Sequence, residues 1–179
     1  MGYRHSRHEI VEAAAAVALD HGMAGLTFRR VGEHLGISDR MVVYYLPTKA
    51  DLVGAAAVAL STSLQGLLAA AFGDRRRSPA ALMRSAWPVL TTAEADRVFA
   101  VFMEVIGLAA TGTEPYTSLA RTMLAAWVDW LAERTAGATP EARRAAALGI
   151  VARVDGLLLV RQALGAEAAD GAARALGIA

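Results

Sequence analysis

The sequence has no cysteine, a single lysine and only five prolines in 179 residues. Without cysteine there is no disulfide, no thiolate metal site and no catalytic thiol. So few prolines leave long stretches free to be helical. The abundance of alanine in a 55% hydrophobic chain makes an all-helical protein the expectation. Neither sign of charge is in excess. The formal net charge is +1, and residues 1–50, with six basic and five acidic side chains, carry +1 by themselves. No bulk basic field advertises a polyanion, so any nucleic-acid face has to arise from local arrangement. The opening MGYRHSRHEI holds no apolar run of the secretory kind. No internal repeat or low-complexity linker interrupts the chain. Its length suffices for one or two compact units with a sizeable core.

Catalytic constellations are also missing. All four histidines lie near the start, at 5, 8, 21 and 34. His5 and His8, with Glu9 and Glu12, fall on adjacent helical turns and are candidate metal ligands. There is, however, no His-Glu-x-x-His pattern and no glycine-rich phosphate loop. No Ser-His-Asp set can be assembled without assuming contacts the sequence does not show. An enzyme is not expected, and neither is a metal or a cofactor.

What is present is concentrated in Leu26 to Leu52, LTFRRVGEHLGISDRMVVYYLPTKADL. Thr27 is placed to cap one short helix, which Leu35-Gly36 ends. Ser38 caps a second, which Leu46-Pro47 stops, because the residue before a proline avoids helical geometry. Val31, Leu35, Ile37, Val42 and Leu46 fall at spacings that share one small core. Arg29, Arg30, Asp39, Arg40, Tyr44 and Tyr45 are left for the outside. A short helix with an Asp-Arg start and outward tyrosines suits a major groove, where arginine grips guanine with two hydrogen bonds. The segment reads as a DNA-binding helix-turn-helix.

Arg7-x-x-Ile10-x-x-Ala13-Ala14, Leu19-x-x-x-Gly22, Leu26-Thr27, Gly36-Ile37-Ser38 and Lys49-x-x-Leu52 together resemble the amino-terminal domain of the tetracycline-repressor (TetR) family, over the first third of the chain. The resemblance implies that Thr27 and Arg29 open the first motif helix against the DNA backbone and groove edge. It implies that Asp39, Arg40 and Tyr44 face bases, and that Tyr45 and Lys49 hold phosphates. The DNA-binding set is then Thr27, Arg29, Ser38, Asp39, Arg40, Met41, Tyr44, Tyr45 and Lys49. Lys49, the chain's one lysine, stands where the family places a lysine. Val43 and Leu46 depart from the family's usual Tyr and Phe, and Arg40 replaces a common Gly. Val43 cannot donate to phosphate, so that contact is lost or passes to Tyr44 or Tyr45. Met-Gly-x-x-x-Ser at Gly2 and Ser6 fits an N-myristoylation pattern. Tyr3, Arg4 and His5 read instead as a basic arm beside DNA.

The expected organisation is a DNA-binding head over residues 1–50 and a helical effector-binding and dimerisation body over 51–179. Leu52 to Gly73, 22 residues without a charge, is long enough to span a bilayer. Its alanines and the central Ser61, Thr62, Ser63 and Gln65 favour a packed connector helix, and no membrane is expected. Ser78-Pro79 starts the next helix, Ala80 to Leu90. Ala93 to Ala110, Tyr116 to Thr135, Pro140 to Leu164 and Glu167 to Leu176 follow. The arginines at 75–77 read as a solvated loop.

Ala93 to Ala110 is apolar nearly all round and belongs inside. Its central Glu104 senses a ligand, pairs with Arg121, Arg153 or Arg161, or turns outward, since an unpaired buried carboxylate is costly. Met83, Trp87, Phe99, Phe102, Met103, Glu104, Met123, Trp127 and Trp130 form the candidate ligand pocket; core packing alone gives the same residues. The family dimerises through its last two long helices, here about 116–135 and 140–164. Val151, Val154, Leu157, Leu158 and Arg161 are the candidate interface. The resulting expectation is a cytoplasmic, homodimeric regulator, a repressor that a small-molecule effector releases from a palindromic operator in double-stranded DNA. The alternative is a helical small-molecule-binding protein whose head has weakened DNA binding, with Val43 and Leu46 as its support.

Overall fold

A computed structural model of the protein describes residues 5–179; Gly2 and the rest of the first four residues, with the lipidation pattern, lie outside the described residues. The described residues form nine α-helices and no strand: α1 (Arg7–Gly25), α2 (Phe28–Leu35), α3 (Asp39–Tyr45), α4 (Lys49–Phe72), α5 (Pro79–Leu90), α6 (Ala93–Ala110), α7 (Tyr116–Arg134), α8 (Pro140–Leu164) and α9 (Ala166–Ala175). The expected all-α class holds. The helix boundaries follow local chemistry. Ser6 and Glu9 close a capping box at the start of α1. Thr27, Ser78 and Thr139 accept from backbone N–H groups at the starts of α2, α5 and α8, the last two with proline in the first turn. Ser38 precedes α3 without capping it through its side chain, contrary to expectation.

The chain divides into two compact units. The first comprises Met1–Ser63 and Ala100–Met123, the second Leu64–Phe99 and Leu124–Ala179. The helices α4, α6 and α7 contribute residues to both. In the first unit Ile10, Val17, Met23, Leu26, Val31, Val42, Leu46, Leu52 and Val53 are almost fully buried. Each such side chain contributes about 1.5–3 kcal/mol on burial. Leu35 and Ile37, expected in the same core, are only partly covered. By length and composition α4 could cross a membrane. Its Leu52, Val53, Ala56, Ala57 and Leu60 are nevertheless buried, as in a packed helix.

In the second unit α5, α8 and α9 pack around Leu82, Met83, Trp87, Ile150, Leu157, Leu158 and Ala169. The Trp87 indole N–H donates to Asp170 at 3.1 Å. The loop before α5 is pinned. Arg77 N–H donates to the Arg134 carbonyl at 2.9 Å, and the Arg77 carbonyl accepts from Ala136 at 2.8 Å. Arg76 reaches the Glu133 carbonyl at 3.1 Å, so two of the three arginines at 75–77 have backbone-level anchors.

Candidate nucleic-acid interface

The helix-turn-helix lies in the first unit, and its turn depends on two glycines. Gly36 ends α2 with φ of 68°, a left-handed conformation that suits glycine. The Ile37 N–H then reaches back to the Gly32 carbonyl at 2.9 Å. A Cβ on Gly32 would meet the Ile37 carbonyl oxygen at 2.9 Å and the Asp39 nitrogen at 3.2 Å. The backbone of the turn therefore lies directly on α2, which fixes where α3 starts.

The seven residues of α3 divide cleanly. Val42 is buried, and with Leu46 just beyond it anchors the helix. Arg40 and Tyr44, one turn apart, point outward on one ridge with Val43 beside them and Met41 at the flank. Tyr44 is 76% exposed, unusual for so large an apolar ring. No hydrogen bond or ion pair within the described residues engages the Arg40 side chain, whereas the Asp39 carboxylate accepts from the Arg40 N–H at 2.8 Å. A free guanidinium beside an exposed aromatic ring, on a helix narrow enough for a major groove, can bind a guanine edge.

The remaining predicted contacts are less uniform. Thr27 is exposed but its hydroxyl accepts from the Arg30 N–H at 3.2 Å. Arg29 is exposed and paired with Glu33 at 2.7 Å, and that hydrogen bond raises its pKa. Tyr45 and Lys49 turn inward. The Tyr45 hydroxyl donates to the His5 carbonyl at 2.7 Å, tying α3 to the chain just before α1. The Lys49 ammonium donates to the Leu26 carbonyl. Burial lowers its pKa, and the nearby Glu104 charge works against that shift. In this geometry both side chains are tied to backbone carbonyls of the head. His5, just before α1, lies 3.9 Å from Glu9, and His8 lies 3.2 Å from Glu12 on α1 itself.

Glu104 has a partner that sequence reasoning missed. Its Oε2 accepts from the Met23 N–H at 2.6 Å and its Oε1 from the Ala24 N–H at 2.8 Å. It pairs with none of the proposed arginines; Arg161 instead grips Asp96 at 2.6 and 2.9 Å. The only sequence signal was a lone carboxylate in an apolar helix.

The candidate pocket residues do not gather in one unit. Met83, Trp87, Phe99, Trp127 and Trp130 belong to the second, and Phe102, Met103, Glu104 and Met123 to the first. Trp130 packs against Phe72 and Trp127 with centroids 5.8 and 5.5 Å away, and the Arg134 guanidinium lies 3.9 Å over its ring. An open cleft of about 240 Å³ in the second unit is lined by Asp96, Arg161, Gln162 and Ala166, none of them aromatic. The candidate interface residues Val154, Leu157 and Leu158 face their own core, and Arg161 is held by Asp96. The outward stripe of α8 is Leu148, Ala152 and Leu159, with Asp155 on the same side but largely covered.

Residues 10–56 match the family described as bacterial regulatory proteins, tetR family. The head is a TetR-family domain. The TetR-type architecture extends over the whole chain. A TetR-family transcriptional regulator from Rhodococcus sp. superposes with a TM-score of 0.74 at 18% identity, covering 97% of this chain and 98% of its own. A transcriptional regulator from Rhodococcus sp. Rha1 gives 0.66 at 28% identity, covering 88% and 83%. The multidrug binding protein EbrR, complexed with proflavin, gives 0.67 at 24% identity, covering 95% and 96%. No curated protein matches the sequence significantly. The fold is that of the TetR-family DNA-binding transcriptional regulators.

Proposed function

We propose that this chain is a cytoplasmic, dimeric repressor that binds a palindromic operator and leaves it when a small-molecule effector binds. The single observation that carries the reading is the Arg40–Tyr44 ridge: exposed, and seated through the buried Val42 and Leu46 on a TetR-family head. Ser38, Asp39, Met41 and Tyr44 flank Arg40 on the reading face, with Thr27 and Arg29 at its edge. Residues 1–50 act as the head and 51–179 as the body. One seven-residue helix reads few bases, whereas two related by a dyad read a palindrome with half-sites about 34–36 Å apart. The exposed stripe on α8 supports self-association. The fold shared with EbrR supports a small-molecule effector. The effector binds the state whose recognition helices no longer match successive grooves, and so drains the DNA-bound population.

Selection from a random duplex pool, followed by fluorescence anisotropy at two salt concentrations, tests this. Recovery of a palindrome bound tightly and with a steep salt dependence is expected, because phosphate contacts release counterions. Weak, sequence-blind binding by a well-folded protein overturns it and favours the small-molecule-binding alternative, which the Val43 and Leu46 departures support.

A further inference from the structure

The junction between α1 and α2 is held by side chains from three other helices of the same unit. The helix α1 breaks at Gly22, where φ is 73° and ψ is 170°. Past that break the N–H groups of Met23 and Ala24 have lost their helical acceptors. The Glu104 carboxylate, on α6, takes both, as a capping side chain does. The Tyr116 hydroxyl, on α7, donates to the Met23 carbonyl at 3.2 Å, and Lys49, the first residue of α4, donates to the Leu26 carbonyl. Burial of Tyr116 and the charge of Glu104 both raise the phenol's pKa, which keeps it a donor. The positive φ suits glycine, and a Cβ at Gly22 would come within 2.6 Å of Glu104 Oε2, so a side chain there would displace the carboxylate.

Met23 to Leu26 lead directly into Thr27, the cap of α2, and α2 carries the turn that seats α3. We propose that Glu104 is a positioning residue for DNA recognition: by capping Met23 and Ala24 it holds the helix-turn-helix in its binding geometry. The proposal rests on the DNA-binding reading above. Glu104 touches no base or phosphate itself. Its loss lowers the fraction of heads in the competent geometry, and apparent affinity falls by that fraction on every sequence alike. Phosphate contacts are unchanged, so the salt slope is too.

The test compares wild type with Glu104→Gln on the selected operator, on single-base variants of it and at several salt concentrations. Glutamine offers one acceptor and points an NH₂ at the second N–H. The expected result is about ten-fold weaker binding, the usual scale for a charged hydrogen bond. Base preference and salt slope stay as in wild type. Tyr116→Phe, which keeps the ring, is expected to weaken binding in the same pattern by a few-fold, and it decides the matter if Glu104→Gln fails to fold by circular dichroism. Unchanged affinity in the folded variants overturns the proposal, as does a loss that alters base preference or salt slope. A wild-type chain that selects no duplex overturns the DNA-binding reading and the proposal together.

Discussion

The outward faces of α3 and α8 are chemically opposite. On α3 the exposed ridge is Arg40, Val43 and Tyr44, which pairs a cation and an aromatic ring with little aliphatic surface. On α8 it is Leu148, Ala152 and Leu159, aliphatic throughout. Both faces leave apolar area in water, which is favourable only if something covers it. The α3 face carries hydrogen-bond donors of the kind that a base edge can satisfy. The α8 face has almost none, so its natural complement is another aliphatic surface, such as a second copy of itself.

Leu159→Glu should have the largest effect. A charge in the α8 stripe is expected to shift the protein to monomers in analytical ultracentrifugation. By removing the second half-site it should weaken operator binding about 100-fold or more. A variant that remains dimeric places the interface elsewhere. Arg40→Ala addresses the other face. Losing a bidentate base contact corresponds to about 1–3 kcal/mol, with relaxed preference at one base pair of each half-site. If affinity falls equally on all sequences, Arg40 contacts backbone instead.

Gly32→Ala asks whether the α3 face depends on the backbone beneath it. The added methyl meets the Ile37 carbonyl at 2.9 Å and should lower stability by about 1–3 kcal/mol in thermal unfolding. An unchanged melting temperature means that the turn relaxes freely. Asp155 sharpens the picture of α8, since burial pushes its carboxyl up to about 6 from the ordinary 3.8. Between those values the folded protein holds more protons than the unfolded chain. Stability should therefore fall as the pH rises through that window and stay reduced above it. Asp155→Asn should flatten the slope and add on the order of 1 kcal/mol at pH 7. A slope that persists in the variant assigns it to another group.

Most of the fold was legible because its punctuation is local. Ser78-Pro79, Pro140 and Leu35-Gly36 mark helix ends within two or three residues, and the structure places them there. The outward ridge of α3 was legible for the same reason, as Val42 and Leu46 leave Arg40 and Tyr44 one direction to face. The inner face of α8 was not. Apolar residues occupy both sides of that helix, and periodicity cannot say which side meets α5 and α9. The partners of Glu104, Tyr45 and Lys49 were hidden for a different reason. They are backbone atoms 81, 40 and 23 residues away, and any residue type supplies a backbone amide or carbonyl.

The committed ammonium of Lys49 has a practical consequence. No other side chain in the protein carries a primary amine. An amine-directed acylating reagent therefore has one side-chain target, fastened to the carbonyl of Leu26 and half-covered. Each molecule in which the head opens becomes able to take up a single acyl group at that position. The rate at which one mass increment accumulates there is a clock for the opening of the DNA-binding head, read from the unaltered protein without a probe.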